Sequence, residues 1–365
     1  MTTELQHRID LLTGWLEQIR VVGDTRHALG KAARELLPAQ TGLSRENVEW
    51  ALCHSLEWSP ALPDLSALVA NSIRCETAHV LLSANVFASA LRAIALALAG
   101  ANTVFVRPSR REPTFATLLH EACPKAFTLV GVLSPLPGDH VWAYGSDETL
   151  HHLFEKWPSG VTVHAHGYGY GVVAIEEPAR MSAKDYANLA LDVAAFDQRG
   201  CLSPKAVAVA GSAAQTERVA QNLFSALKDI HTQMPLGVLS AAELHERARH
   251  RDLYRYLGHC YESEGCLVSV DLAEGPWMAA PGGRVIHVRR VTSVVDSLAE
   301  YEADLTTIGA QAPSIPRLTA RFPYARVTPF GHMQTPRLDG PADRRTRMDG
   351  ITIDTASRYG LRLRR

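Results

Sequence analysis

Apolar residues recur at helical spacing at the start of the chain: Leu5, Ile9, Leu12, Leu16 and Ile19, with Trp15 beside them. Residues three and four apart share a helix face, so this predicts an amphipathic helix, packed on its own domain or against another subunit. Helices are also predicted over 25–37 and 44–55, the second with Ser44 as N-cap. Pro60 and Pro63 mark a connection. From residue 79 short apolar runs alternate with helical stretches. Strands are expected at 79–83, 102–107, 127–133 and 140–144, with helices over 86–99 and 114–122 between them. Extended segments at 161–166 and 171–175 flank Gly167-Tyr168-Gly169-Tyr170-Gly171, which reads as a tight turn needing positive φ. A helix over 184–195 is followed by a strand at 206–209, helices over 213–230 and 241–258, strands at 266–270 and 284–288, and a helix over 297–307. From Pro313 onward, Pro, Gly and Arg predict irregular structure.

Strand–helix alternation of this kind reads as an α/β protein with a doubly wound parallel sheet. Ligands of such sheets bind at the carboxyl ends of the strands. Residue types at those ends therefore carry the most information.

Charge acts mainly by exclusion. The 37 basic and 38 acidic side chains leave a net charge of −1, which gives no general attraction to nucleic acid or an anionic membrane. Residues 1–8 lack the basic and apolar regions of a signal peptide. The longest apolar stretch, 87–99, contains Arg92 and is too short to span a bilayer. The expectation is a cytoplasmic protein with no membrane span. The six cysteines, Cys53, Cys75, Cys123, Cys201, Cys260 and Cys266, are scattered, and no CxxC pair occurs. That argues against zinc sites and a disulfide framework.

Cys201 stands in Phe196-Asp197-Gln198-Arg199-Gly200-Cys201-Leu202-Ser203-Pro204, at the mouth of an expected strand. It reads either as a nucleophile, whose thiolate would react, or as a packing cysteine. Asn85 lies between a strand and a helix, where an amide can cap the helix or donate to an oxyanion. Arg107, Arg110 and Arg111 follow a strand and can grip a phosphate or line a solvated turn. Gly145-Ser146 ends another strand and can approach a pyrophosphate. His164 and His166 share one side of a strand, but with no Cys, Asp or Glu nearby no metal site is expected.

In order, these pieces resemble the aldehyde dehydrogenase superfamily. Ser83-Ala84-Asn85-Val86-Phe87 stands where that family carries its oxyanion asparagine. The segment from Ala99 to Ser109 looks like its "AGNTVVLKPSE", Tyr144-Gly145-Ser146 like its "FTGS", and Asp197 to Pro204 like the surroundings of its nucleophilic cysteine. Within the superfamily the likeness is to the acyl-CoA reductases of bacterial bioluminescence, the long-chain fatty-acid reductases. Those carry "DQQGCLSP"-like text and a late "GxMQxP", here Gly331-His332-Met333-Gln334-Thr335-Pro336. The resemblance implies a Rossmann-type cofactor domain over 1–185, a catalytic α/β domain over 186–312, and a segment over 313–365 that returns to the first domain or meets another subunit. It implies Cys201 as nucleophile, Asn85 as oxyanion donor, and Arg107, Ser109, Arg110, Gly145 and Ser146 as cofactor contacts.

Two departures refine the expected chemistry. Ordinary members have a glutamate base in "ELGG", whereas Ala165-His166-Gly167-Tyr168 has no carboxylate. That suits acyl exchange with another thiol rather than hydrolysis, unless His164 or His166 substitutes as the base. NAD-selective members place a glutamate where this chain has Arg110, which would attract a 2′-phosphate, so NADPH is expected over NAD. The expected activity is NADPH-dependent reduction of an acyl-CoA or carrier-bound thioester to an aldehyde. Aldehyde oxidation to acid, or a silent acyl-binding scaffold, are the alternatives. Partners implied by the resemblance are an acyl-transferring or acyl-activating protein and further copies of the chain.

Overall fold

The computed structural model describes residues 3–273 and 278–338, and the backbone of 351–354. Helices α1 (Thr3–Ile19), α2 (Ala28–Thr41), α3 (Arg45–Trp50) and α4 (Leu62–Asn71) form an N-terminal layer. The first sheet is built from β1 (Cys75–Leu81), β2 (Ala101–Arg107), β3 (Thr128–Leu129), β4 (His140–Tyr144) and β5 (Thr162–His166). It is interleaved with α5 (Ser89–Gly100), α6 (Thr114–Ala122) and α7 (Asp147–Phe154). The order β5-β4-β1-β2-β3 is that of a dinucleotide-binding sheet, and these strands pair in parallel. The order in which strands are added reverses between β1 and β4, which places a crevice beyond their carboxyl ends.

The second sheet takes β6 (Tyr170–Ile175), β7 (Pro204–Ala210), β8 (His259–Glu262), β9 (Leu267–Asp271), β10 (Val285–Val291), β11 (Leu305–Ala310) and β12 (Arg326–Pro329). Around it lie α8 (Ala183–Ala194), α9 (Ala213–Gln233), α10 (Ala241–Leu257), α11 (Val294–Ala299) and α12 (Ile315–Arg321). Its order is β12-β11-β6-β7-β10-β9-β8, parallel except for β8. Finally β13 (Ile351–Asp354) pairs antiparallel with β5 of the first sheet. The α/β reading with parallel sheets thus holds, with antiparallel edge strands added.

Local chemistry sets most helix starts. Ser44, Ser146, Ser182, Ser212 and Ser240 each accept the backbone N–H three residues on. Asp185, Gln215 and Glu243 return the bond to complete capping boxes.

Several expectations change. The chain crosses to the second sheet between His166 and Tyr170, ahead of the boundary expected at 185. Residues 297–307 were expected to be one helix, but α11 ends at Ala299 and Leu305–Ala310 is a strand buried between β6 and β12. The stretch after Pro313 holds α12 and β12 rather than irregular chain. At 127–133 only Thr128–Leu129 pairs. The α-helical part of 44–55 ends at Trp50, and Ala51–Ser55 continues as a wider π turn.

Candidate active site

Helix α8 stops at Ala194, and the chain then enters a conformation rare for residues with side chains. Phe196, Asp197 and Gln198 take φ of 53°, 49° and 61°. Left-handed backbone at such residues costs on the order of 1–3 kcal/mol each and persists only where the surroundings fix it. Here they do. The fully buried Asp197 accepts at Oδ1 from Arg284 Nε at 2.9 Å and from Asn47 Nδ2 at 3.3 Å. Its Oδ2 accepts the Gly237 N–H at 3.1 Å. Burial pushes the Asp197 carboxyl up, and the buried Arg284 cation pulls it back. Gln198 Nε2 donates to the carbonyls of Pro204 and Val285 at 2.7 and 2.8 Å. Phe196 packs edge-on against Trp50 and Phe87.

Beyond this locked turn, Arg199 donates to the carbonyls of Thr41 and Val238 and pairs with Glu243 at 2.7 Å. Cys201 then emerges exposed, its carbonyl accepting from Thr306 Oγ1 at 2.5 Å. The sequence therefore mounts an exposed thiol on a rigid, buried stalk.

Asn85 follows β1, but helix α5 begins only at Ser89, so its amide does not cap that helix. Its Oδ1 accepts from Arg111 Nη2 at 3.4 Å, which leaves the amide NH2 as the donor end. Asn85 and Cys201, from opposite sheets, line one cavity. Tyr144, Gly145, His166 and Gly167 complete its first-sheet side. Val86, Leu91, Leu96, Phe196 and Leu338 give it an apolar wall.

The other sequence candidates fall into distinct places. His166 stacks on Tyr144 with ring centroids 4.2 Å apart and faces the cavity. His164 does not line it. His164 is fully buried, stacked on Trp142, with Nε2 3.0 Å from His140 Nδ1. Arg107 and Ser109 stand at the carboxyl end of β2, with exposed Arg110 beside them. Ser146 caps α7 through Thr149 N–H at 3.3 Å.

The glycines of 167–171 are not a positive-φ turn; all three lie outside that region. They are required by close approach instead. A Cβ on Gly171 would sit 2.6 Å from the Leu202 carbonyl oxygen and 2.8 Å from Met333 Cε, and one on Gly169 would sit 2.5 Å from Thr306 Cγ2. The segment thus passes directly under the cysteine loop.

Two cavity residues escape the sequence reading of the site. Glu57 is the carboxylate among the described lining residues, and its Oε2 accepts the Leu338 N–H at 2.5 Å. It belongs to no motif. Gln334 lies within the GxMQxP segment, is 3% exposed, and donates to Ser203 Oγ at 3.3 Å.

The acyl-CoA reductase (LuxC) family model matches residues 136–344, more than half of the chain. No protein of curated function matches the sequence. Among solved structures, the chain resembles NADP-dependent glyceraldehyde-3-phosphate dehydrogenase from Bacillus halodurans C-125 complexed with NADP, at 13% identity and a TM-score of 0.66. That match covers 96% of this chain and 84% of the other. Aldehyde dehydrogenase 21 from Physcomitrella patens, in complex with the reaction product succinate, matches at 11% identity and a TM-score of 0.68, covering 96% and 83%. Lactaldehyde dehydrogenase from Escherichia coli matches at 15% identity and 0.64, covering 95% and 82%. These likenesses establish the aldehyde dehydrogenase fold. With the family model matched over more than half of the chain, Cys201 included, the chain belongs to the acyl-CoA reductase (LuxC) family of oxidoreductases acting on aldehyde and acyl groups.

Proposed function

We propose that this protein reduces an acyl thioester to an aldehyde through an acyl group held on Cys201. The observation that carries the reading is the shared cavity of Cys201 and Asn85. The Cys201 thiolate attacks the thioester carbonyl, and the C–S bond that forms pushes charge onto the oxygen. The Asn85 amide and the Cys201 backbone N–H are the donors for that oxyanion. Its collapse breaks the bond to CoA or to a carrier thiol, which leaves with a proton. The apolar wall formed by Val86, Leu91, Leu96 and Leu338 suits the acyl chain.

The first sheet fits a nicotinamide cofactor: the carboxyl ends of β1 and β4 flank the switch point, with Gly145 and Ser146 following β4, and β2 ends on the other side of β1 with Arg107, Ser109 and Arg110. Such a cofactor, when bound, supplies the hydride that takes the acyl group to the aldehyde level. Arg110 is exposed at that strand end and favours a 2′-phosphate, hence NADPH over NAD. His166 is the cavity's candidate proton carrier.

A second reading, oxidation of an aldehyde to free acid, draws on Glu57, the carboxylate of the cavity wall. Intact-mass analysis after incubation with a panel of acyl-CoA thioesters tests the first. An acyl adduct on Cys201, lost in Cys201→Ala and discharged as aldehyde by NADPH, is the expected result. Reductase activity retained in Cys201→Ala would sink it. Free acid formed from aldehyde and NADP⁺ without added thiol would favour the second.

A further inference from the structure

We infer that Asn47, on helix α3 of the N-terminal layer, is a positioning residue for Cys201. The inference rests on the reading of Cys201 as the acyl-accepting nucleophile. Asn47 is fully buried and spends its side-chain hydrogen bonds on the left-handed turn. Its Oδ1 accepts the Phe196 N–H at 3.0 Å. Its Nδ2 donates to the Ala194 carbonyl at 3.1 Å and stands 3.3 Å from Asp197 Oδ1. The last turn of a helix leaves carbonyls without partners, and the reversal at Phe196 removes the next residues from the ladder. The Asn47 amide replaces those bonds as a peptide group would.

The same N-terminal layer grips the turn at two further points. Trp50, one turn along α3, packs edge-on against Phe196, and the Thr41 carbonyl at the end of α2 accepts from Arg199. On the far side Arg284 and Gly237 hold Asp197. The stalk of Cys201 is thus clamped between two layers, and Asn47 is the polar bracket of one jaw. Loss of that bracket lets the strained residues 196–198 relax toward ordinary backbone, which moves the thiol relative to Asn85. A displacement of about 1 Å in a reacting group can cost on the order of 10²-fold in rate.

Single-turnover acylation of Cys201 by acyl-CoA, followed by intact mass, tests this with Asn47→Ala and the milder Asn47→Ser. The rate constant at saturation should fall roughly 10- to 100-fold, while the half-saturating thioester concentration changes less than about twofold. The amplitude, which counts folded chains, is read separately from the rate constant. If Asn47→Ala does not fold, Asn47→Ser carries the test. A folded variant that acylates Cys201 at the wild-type rate constant, with only its thermal stability lowered, overturns the inference. A wild-type protein that takes no acyl group on Cys201 overturns instead the reading on which it rests.

Discussion

The Asp192 carboxylate on α8 accepts the Met333 N–H at 2.9 Å, and its other oxygen accepts the Gly331 N–H at 2.6 Å. This contact fastens the helix that leads into the cysteine turn to the segment that walls the cavity. Arg326 closes the clamp from β12 by donating to the carbonyls of His332, Met333 and Thr335. Gln334 is held between, its own carbonyl accepting from Ser55 Oγ at 2.6 Å. Asp192→Ala leaves two backbone N–H groups without acceptors, and should cost on the order of 3 kcal/mol. The midpoint of urea unfolding should drop accordingly, and Asp192→Asn should lose less, since it keeps one acceptor oxygen.

Asn85 should act on the chemical step alone. Removing one oxyanion donor typically lowers the rate about 10²- to 10³-fold. Asn85→Ala should therefore acylate Cys201 slowly but to the same final adduct. Single-turnover rates check this, and an unchanged rate would take Asn85 out of the oxyanion site.

Arg110 should decide the cofactor. It is exposed at the end of β2, so replacing it perturbs no packing. Arg110→Glu substitutes repulsion for attraction at a 2′-phosphate. The KM for NADPH should rise by about tenfold or more while NADH improves. Parallel titrations with the two cofactors read the ratio directly, and an unchanged ratio would remove Arg110 from recognition.

A buried polar chain between helix α10 and the second sheet predicts acid sensitivity. His250 Nε2 lies 2.9 Å from Ser269 Oγ, which lies 3.0 Å from His287 Nδ1. Burial holds His250 down at about 4 and His287 at about 3, from 6.5. The unfolded chain takes up these protons near pH 6.5, and the folded chain resists them until about 4 and 3. Stability from this pair is present above pH 6.5 and is lost as pH falls toward those values. Each histidine adds a slope of up to about 1.4 kcal/mol per pH unit. Urea midpoints between pH 7 and 5 should decline, less steeply in His250→Gln; an equal slope in that variant would count against the assignment.

The sequence by itself determined the elements whose cues are carried by neighbouring residues. Serine caps such as Ser182, Ser212 and Ser240 fix helix starts, because the bond they accept comes from three residues away. Apolar runs such as Ala206 to Val209 fix central strands, and the order of segments around Asn85, Arg107, Gly145 and Cys201 pointed to the family. Only the tertiary structure decided what depends on distant partners. Leu305 and Ile308 sit at a spacing that helix and buried strand both allow, and the slot between β6 and β12 selected the strand. His164 and His166 look equivalent in sequence, yet packing sends one into the stack on Trp142 and the other to the cavity. No local cue marks Asn47, Glu57 or the left-handed φ values of Phe196, Asp197 and Gln198. A strained turn is stable only through bonds from residues far along the chain, so the mount of Cys201 is written in the packing of two sheets and a helical layer.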